Sequence, residues 1–142
     1  MTKMVDAALS SAGGKVVLAT SSDEKHTPEN IIDGRTDTFW MTTGMFPQQF
    51  IISFSNPIKI NTVTIQCYNV RCLSIEKSAS TEVANFEKCT EKELQHVEGQ
   101  LQTEEFALSQ IRATHLRFTI KSGFDHFVSV HRVMVEGSAS NI

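Results

Sequence analysis

Apolar residues recur at every second position through much of this chain. Phe50, Ile52 and Phe54 alternate with Gln49 and Ser53, interrupted only by Ile51, and Leu116, Phe118 and Ile120 alternate with His115, Arg117, Thr119 and Lys121. A period of two marks a strand with one buried and one wetted face. Enrichment in Val, Ile, Phe and Thr predicts strands over residues 15–20, 48–54, 58–68, 71–77, 103–108, 114–121 and 126–136, an all-β inventory.

Two strands break the simple rhythm. Between residues 58 and 68 the apolar phase slips from Ile58 and Ile60 to Val63, Ile65 and Cys67. One residue must be absorbed, which predicts a bulge or bend near Asn61. In the last strand, Phe127, Val133 and Val135 share one phase while Val128, Val130 and Met134 share the other. That second face calls for cover, either burial within the protein or a partner. Between residues 78 and 102 the pattern weakens into Glu82, Glu87, Glu91, Glu93 and Glu98 against Lys88 and Lys92, as expected of a solvated excursion with short edge strands. Residues 1–14 and 138–142 lie outside the pattern and are expected to fray. With no linker composition and no internal repeat, residues 1–142 read as one domain.

Composition narrows the function. A formal charge of −3 offers no general attraction for phosphate backbones or anionic lipid, so nucleic acid is not an expected partner. No apolar run approaches a membrane span and residues 1–14 lack a signal-type apolar stretch, so a soluble intracellular protein without direct membrane insertion is expected. The three cysteines, Cys67, Cys72 and Cys89, form no Cys-x-x-Cys pair and read as free thiols, with Cys67 a small hydrophobe in a strand.

The densest local signal runs from Glu29 to Trp40. Thr27 is suited to cap a helical turn and Pro28 to occupy its first position. Asp33 and Gly34 then supply a self-bonding side chain and a residue that tolerates positive φ, so the chain doubles back. Carbonyls freed at Asn30 and Arg35 beside the Asp33 carboxylate would offer oxygen ligands of the kind calcium accepts. An Asp-Gly corner before an aromatic is also commonly just a turn. An EF-hand is excluded: counting from Asp33, the third position is Arg35, the fifth Asp37 and the sixth Thr38 where that loop needs Gly. Phe39 and Trp40 are expected to pack beneath the loop, whereas Met41, Met45 and Phe46, among Thr, Gly and Pro, are candidates for contact.

Asn30-x-x-Asp33-Gly34-x-x-x-Thr38-x-Trp40, followed by strands that close on Val135-Glu136-Gly137, resembles the discoidin or galactose-binding-like β-sandwich family over nearly the whole chain. The resemblance implies an eight-stranded antiparallel jelly-roll β-sandwich. It also implies a calcium ion held by main-chain oxygens of Asn30 and Arg35, the Asp33 carboxylate, an oxygen of Thr38, the Val135 carbonyl and Glu136. Such a site would staple the chain's two ends. Longer blocks at residues 19–26, 40–47, 96–102 and 124–131 resemble the small β-sandwich subunits of the intraflagellar transport B complex, also named in the small heat-shock protein beta class. That branch implies a non-enzymatic adaptor in cilium and cytoplasm that pairs with a Rab-like small GTPase and other transport B subunits, supporting export of signalling cargo.

Departures from related groups sharpen the expectation. No cysteine stands near either end, unlike the disulfide-tied secreted members, and the closing Ser-Ala-Ser-Asn-Ile lacks the Ile-x-Ile tail of alpha-crystallin chaperones. The aromatics mostly fall in strand patterns, which argues against lectin activity. An intracellular glycan- or ligand-binding module and a holdase chaperone are the alternatives. His26, His96, His115, His126 and His131 form no recognised catalytic set, and Gly13-Gly14-Lys15 lacks the first Gly and the Ser or Thr of a phosphate loop. His126 and His131, five apart, would face opposite sides of one strand and are expected to be surface or packed residues.

Overall fold

Two strands set the architecture because each runs through a corner without ending. The computed structural model describes residues 5–20, 25–35, 37–42, 45–97, 99–125 and 127–139. Its strands are β1 (Val5–Asp6), β2 (Lys15–Ala19), β3 (Trp40–Met41), β4 (Gln48–Tyr68), β5 (Val70–Ser78), β6 (Glu87–Glu93), β7 (Gln102–Gly123) and β8 (Ser129–Ala139), with 3-10 turns at Ser10–Ala12 and Pro28–Ile32. The strand order is β1-β8-β4-β7-β5-β6, with β2 on β4 and β3 on β8, and every pairing is antiparallel. This is the expected eight-stranded, all-β jelly-roll architecture.

The register shows how one sheet makes two layers. The first part of β4 pairs with the second part of β7, from Gln48 opposite Ile120 to Ser53 opposite His115, and the second part of β4 with the first part of β7, from Ile58 opposite Ala113 to Cys67 opposite Gln102. Residues 54–57 form the corner between them. The expectation of separate strands at 48–54 and 58–68, and at 103–108 and 114–121, is therefore corrected: irregular register, not a loop, turns each chain. The bulge expected at Asn61 is present, since Ile60 and Thr62 pair with the adjacent residues Gly137 and Glu136. It lets Ile58 and Ile60 before it, and Val63, Ile65 and Cys67 after it, all enter the core.

A second bulge corrects the reading of the last strand. Cys67 pairs with Val130 but Gln66 pairs with Arg132, leaving His131 as the extra residue. The phase shift turns Val128, Val130, Val133 and Val135 all inward. No second apolar face remains to be covered; Met134 is half-buried, and Phe127 is exposed before the strand begins.

The N-terminal segment is packed in its described part, contrary to the expected fraying. β1 pairs with β8 through Val5 opposite Gly137 and Asp6 opposite Glu136, and Ala8 is fully buried. A Cβ on Gly14 would lie 2.1 Å from the Ala8 carbonyl oxygen, so the chain closes here only with glycine. Ser138 likewise belongs to β8, opposite Lys59.

The core centres on Trp40, Phe50 and Phe118. Phe50 stacks on Phe118 with centroids 4.8 Å apart, and Trp40 meets Phe50 edge-on at 5.4 Å. The Ser78–Gln102 region behaves as expected: β6 is an exposed edge strand with a charged face. Lys121 and Lys88 both bind Glu91 and hold its carboxyl down to about 2, and such charges blunt an edge against pairing with other chains. All three cysteines are free. Burial pushes the Cys67 thiol up to about 12, so it stays protonated at neutral pH.

Two expectations test this packing. Phe118→Ala should lower unfolding free energy by about 3–5 kcal/mol in denaturant titration, whereas Phe127→Ser should change it by less than about 0.5 kcal/mol. Alkylation of the native protein at pH 8 should spare Cys67 in peptide mass spectra while Cys72 and Cys89 react, and denaturant should abolish the difference.

Candidate functional site

The loop from residue 26 to 42 is built from short-range bonds around a 3-10 turn. Pro28 occupies its first position as expected, but Thr27 makes no side-chain capping bond; its backbone carbonyl instead accepts the Asn30 N–H at 3.1 Å. Pro28 carries no N–H and the Asn30 N–H is already taken, so little in the first turn is left for a hydroxyl to satisfy. Ile31 and Ile32 bury fully or nearly so, anchoring the turn to the core.

Asp33 ends the turn and binds both Arg35 and Thr38. One carboxylate oxygen accepts the Arg35 N–H at 2.8 Å, and the other accepts the Thr38 hydroxyl at 2.5 Å. Gly34 takes φ 79°, the left-handed conformation expected there. Asn30 closes the loop by donating its side-chain amide to the Phe39 carbonyl at 3.0 Å. Asn30, Asp33, Arg35 and Thr38 are thus gathered into one loop. The Arg35 side chain forks onto Asp37 at 2.9 and 2.6 Å and holds that carboxyl below the usual range, so Arg35 could serve a cation only through its main chain.

Val135 and Glu136 approach this loop through the N-terminal segment. A Cβ on Gly34 would sit 3.1 Å from Leu9 Cδ2, three residues beyond Asp6, which pairs with Glu136. The Val135 carbonyl accepts the Ala7 N–H at 2.9 Å, and Asp6 Oδ1 accepts the N–H groups of Ala8 at 3.2 Å and Val135 at 3.0 Å. The Pro28–Ile32 turn also packs against β8. Glu136 points to solvent. Asp6 does not stand out in the sequence; an Asp just before an Ala pair is its sole signal.

Among the described residues, no three His, Cys, Asp or Glu side chains gather as a metal-binding group. A cation here would draw mainly on carbonyl and hydroxyl oxygens beside Asp33. Those are hard donors of the class that suits calcium and not zinc.

Phe39 corrects another expectation. It does not pack beneath the loop but stands half-buried between His26, at 4.0 Å, and His131, at 4.8 Å, in a continuous ring stack. Trp40 is the buried one of the pair. His131 is packed, as expected, and His126 lies outside the described residues. The nearest approach to a catalytic pair is Ser53 and His115, cross-strand neighbours with Oγ 2.6 Å from Nδ1. His115 Nε2 is buried without a hydrogen-bond partner, so no third group orients the ring as a base.

The far end of the sandwich, where β4 and β7 begin and finish, carries exposed apolar side chains. Phe124 and Phe127 lie on the β7–β8 connection and are 41% and 45% exposed, so Phe127 stands outside β8 although a strand is expected over 126–136. Met45 is 88% exposed, in keeping with a contact role, whereas Phe46 packs against the core.

Comparison with known proteins adds what geometry alone does not. The F5/8 type C domain model matches residues 17–133. Intraflagellar transport protein 25 homolog of Homo sapiens is 57% identical over 136 residues, covering 96% of this chain and 94% of the relative. Intraflagellar transport protein 25 of Chlamydomonas reinhardtii is 42% identical over 134 residues, covering 94% and 70%. Among solved structures, CBM32-3 from a family 31 glycoside hydrolase of Clostridium perfringens superposes with TM-score 0.77 at 21% identity, covering 92% of this chain and 94% of that one. The family 32 CBM from C. perfringens NanJ, in complex with galactose, superposes with TM-score 0.79 at 16% identity, covering 94% and 99%. At these identities the structural likeness speaks for the fold alone. On the family model and on relatives this similar along most of their length, the chain belongs to the F5/8 type C domain family and to the family of intraflagellar transport protein 25 homologues.

Proposed function

We propose that this chain is a non-enzymatic, calcium-binding subunit of the intraflagellar transport B complex, working in cilium and cytoplasm as the partner of a Rab-like small GTPase and other transport subunits. The observation that carries the reading is 57% identity over 136 residues to a human relative named for intraflagellar transport. A non-enzymatic role agrees with the incomplete Ser53–His115 pair and with histidines engaged in ring packing at Phe39.

Calcium is supported by the donor chemistry of the loop. The main-chain oxygens of Asn30 and Arg35, the Asp33 carboxylate, an oxygen of Thr38, the Val135 carbonyl and Glu136 would hold the ion. Each carboxylate oxygen of Asp33 accepts one bond from its own loop, and the Val135 carbonyl accepts one from Ala7, so each retains a lone pair. When bound, the ion supplies charge balance and a rigid link between the loop and β8. Its role is structural.

A ligand that binds only the folded chain stabilises it by about 2.7 kcal/mol at a hundredfold excess over Kd. Calcium is therefore expected to raise the melting temperature of the wild-type chain by several degrees, and Asp33→Ala to abolish that rise. An Asp33→Ala protein that still melts higher with calcium would falsify the assignment. For the partner, co-expression with a Rab-like small GTPase should yield a complex of one copy of each in size-exclusion chromatography with light scattering. Elution of the two as separate monomers at micromolar concentration would count against it.

A further inference from the structure

The N-terminal segment touches both halves of the candidate cation site. Leu9 meets the loop, where a Cβ on Gly34 would lie 3.1 Å from Leu9 Cδ2, and Asp6 stands opposite Glu136 on β8. Asp6 Oδ1 accepts the N–H groups of Val135 at 3.0 Å and Ala8 at 3.2 Å, and Ala7 donates its N–H to the Val135 carbonyl at 2.9 Å. Both main-chain groups of Val135 are thus held by two consecutive residues. Ala8 and Val135 are fully buried, so neither N–H has water to turn to if the Asp6 carboxylate is removed.

The other oxygen of Asp6 is poorly served. Oδ2 is buried without a hydrogen bond, Arg132 approaches it only to 3.6 Å, and Arg132 Nε is buried without a partner as well. An ion pair kept for stability alone would close to bonding distance on both sides, because a buried charge left half-satisfied is costly. The work of the side chain therefore falls to Oδ1, which makes two charge-assisted bonds to main chain at once. A neutral side chain with one carbonyl oxygen in the same place could accept both.

This arrangement serves position and not ligation. Among the described residues no three acidic, histidine or cysteine side chains gather as a metal-binding group, so Asp6 does not join Asp33 and Glu136 around one point. What Asp6 holds is Val135, whose carbonyl belongs to the donor set assigned above. Groups that orient a metal ligand matter almost as much as the ligand, and losing one costs roughly 10- to 100-fold in affinity.

We propose that Asp6 is a positioning residue for the candidate calcium site. Through Oδ1 it keeps Val135, and with it the β8 share of the donor oxygens, in place beside the loop, and so sets the affinity for the ion. The inference rests on the calcium reading of that loop.

The test is calorimetric titration of the full chain with calcium chloride, together with amide exchange of the same proteins without calcium. Asp6→Ala removes the acceptor, Asp6→Asn keeps a carbonyl oxygen and removes the charge, and Arg132→Met removes the loose ion pair. Asp6→Ala should weaken calcium binding at least about tenfold, while Asp6→Asn and Arg132→Met stay within about threefold of wild type. Without calcium, Asp6→Ala should speed exchange in the peptide covering residues 132–137, and Asp6→Asn should restore it. Phe118→Leu, a destabilising change in the core, should leave the affinity unaltered. If Asp6→Ala does not fold, Asp6→Ser, whose shorter hydroxyl cannot span both N–H groups, takes its place with the same expectation. Equal affinity in wild type and Asp6→Ala would overturn the proposal and leave the calcium reading standing, whereas a wild-type chain that takes up no calcium would overturn both. A tenfold loss in Asp6→Asn, Arg132→Met or Phe118→Leu would also overturn it, since charge or stability, and not position, would then set the affinity.

Discussion

One antiparallel pairing, β4 against β7, carries the rest of the structure, because it runs from Gln48 opposite Ile120 through the corner to Cys67 opposite Gln102 and so belongs to both layers. β2 and β5 attach to it in one layer and β8 in the other. Burying Trp40, Phe50 and Phe118 across this pairing contributes on the order of 1.5–3 kcal/mol for each side chain. The same pairing decides where function can reside. By turning at residues 54–57, it sends both ends of each long strand to one pole of the molecule and leaves the corners at the other.

The two poles then acquire different chemistry. At the corner pole, polar main chain is gathered by the N-terminal segment: Asp6 spans Ala8 and Val135, Gly34 rests on Leu9, and Asp33 organises Arg35 and Thr38. At the strand-end pole, the connections carry rings and methyl groups and almost no charge. The cation proposed for the first pole would thus meet none of the exposed rings of the second.

Much of this is legible in the sequence where the period of two is unbroken. The alternation at 48–54 and 114–121 assigns the core face, although His115 and Thr119 on the face expected to be wetted are buried as well, and the phase slip near Asn61 announces a bulge that the register bears out. The slip in the last strand is equally visible but reads as two apolar faces. A bulge at His131 absorbs it, and nothing local distinguishes one outcome from the other without the facing residues Gln66 and Cys67. The loop from Asn30 to Thr38 is legible because Asp-Gly and Pro have fixed backbone preferences. Phe39 is misplaced by its local sequence because its partners, His26 and His131, come from distant segments. Phe127 merges into a strand pattern because aromatic content signals strands and exposed rings alike, and only the start of β8 at Ser129 separates the two meanings.

The most direct measurement is amide hydrogen exchange by mass spectrometry on the full chain with and without calcium. Slower exchange confined to peptides covering residues 5–14, 30–38 and 132–137, with residues 94–101 and 123–128 unchanged, is the predicted result for a structural ion at one pole. Protection centred on the strand-end connections, or none anywhere at saturating calcium, would contradict it.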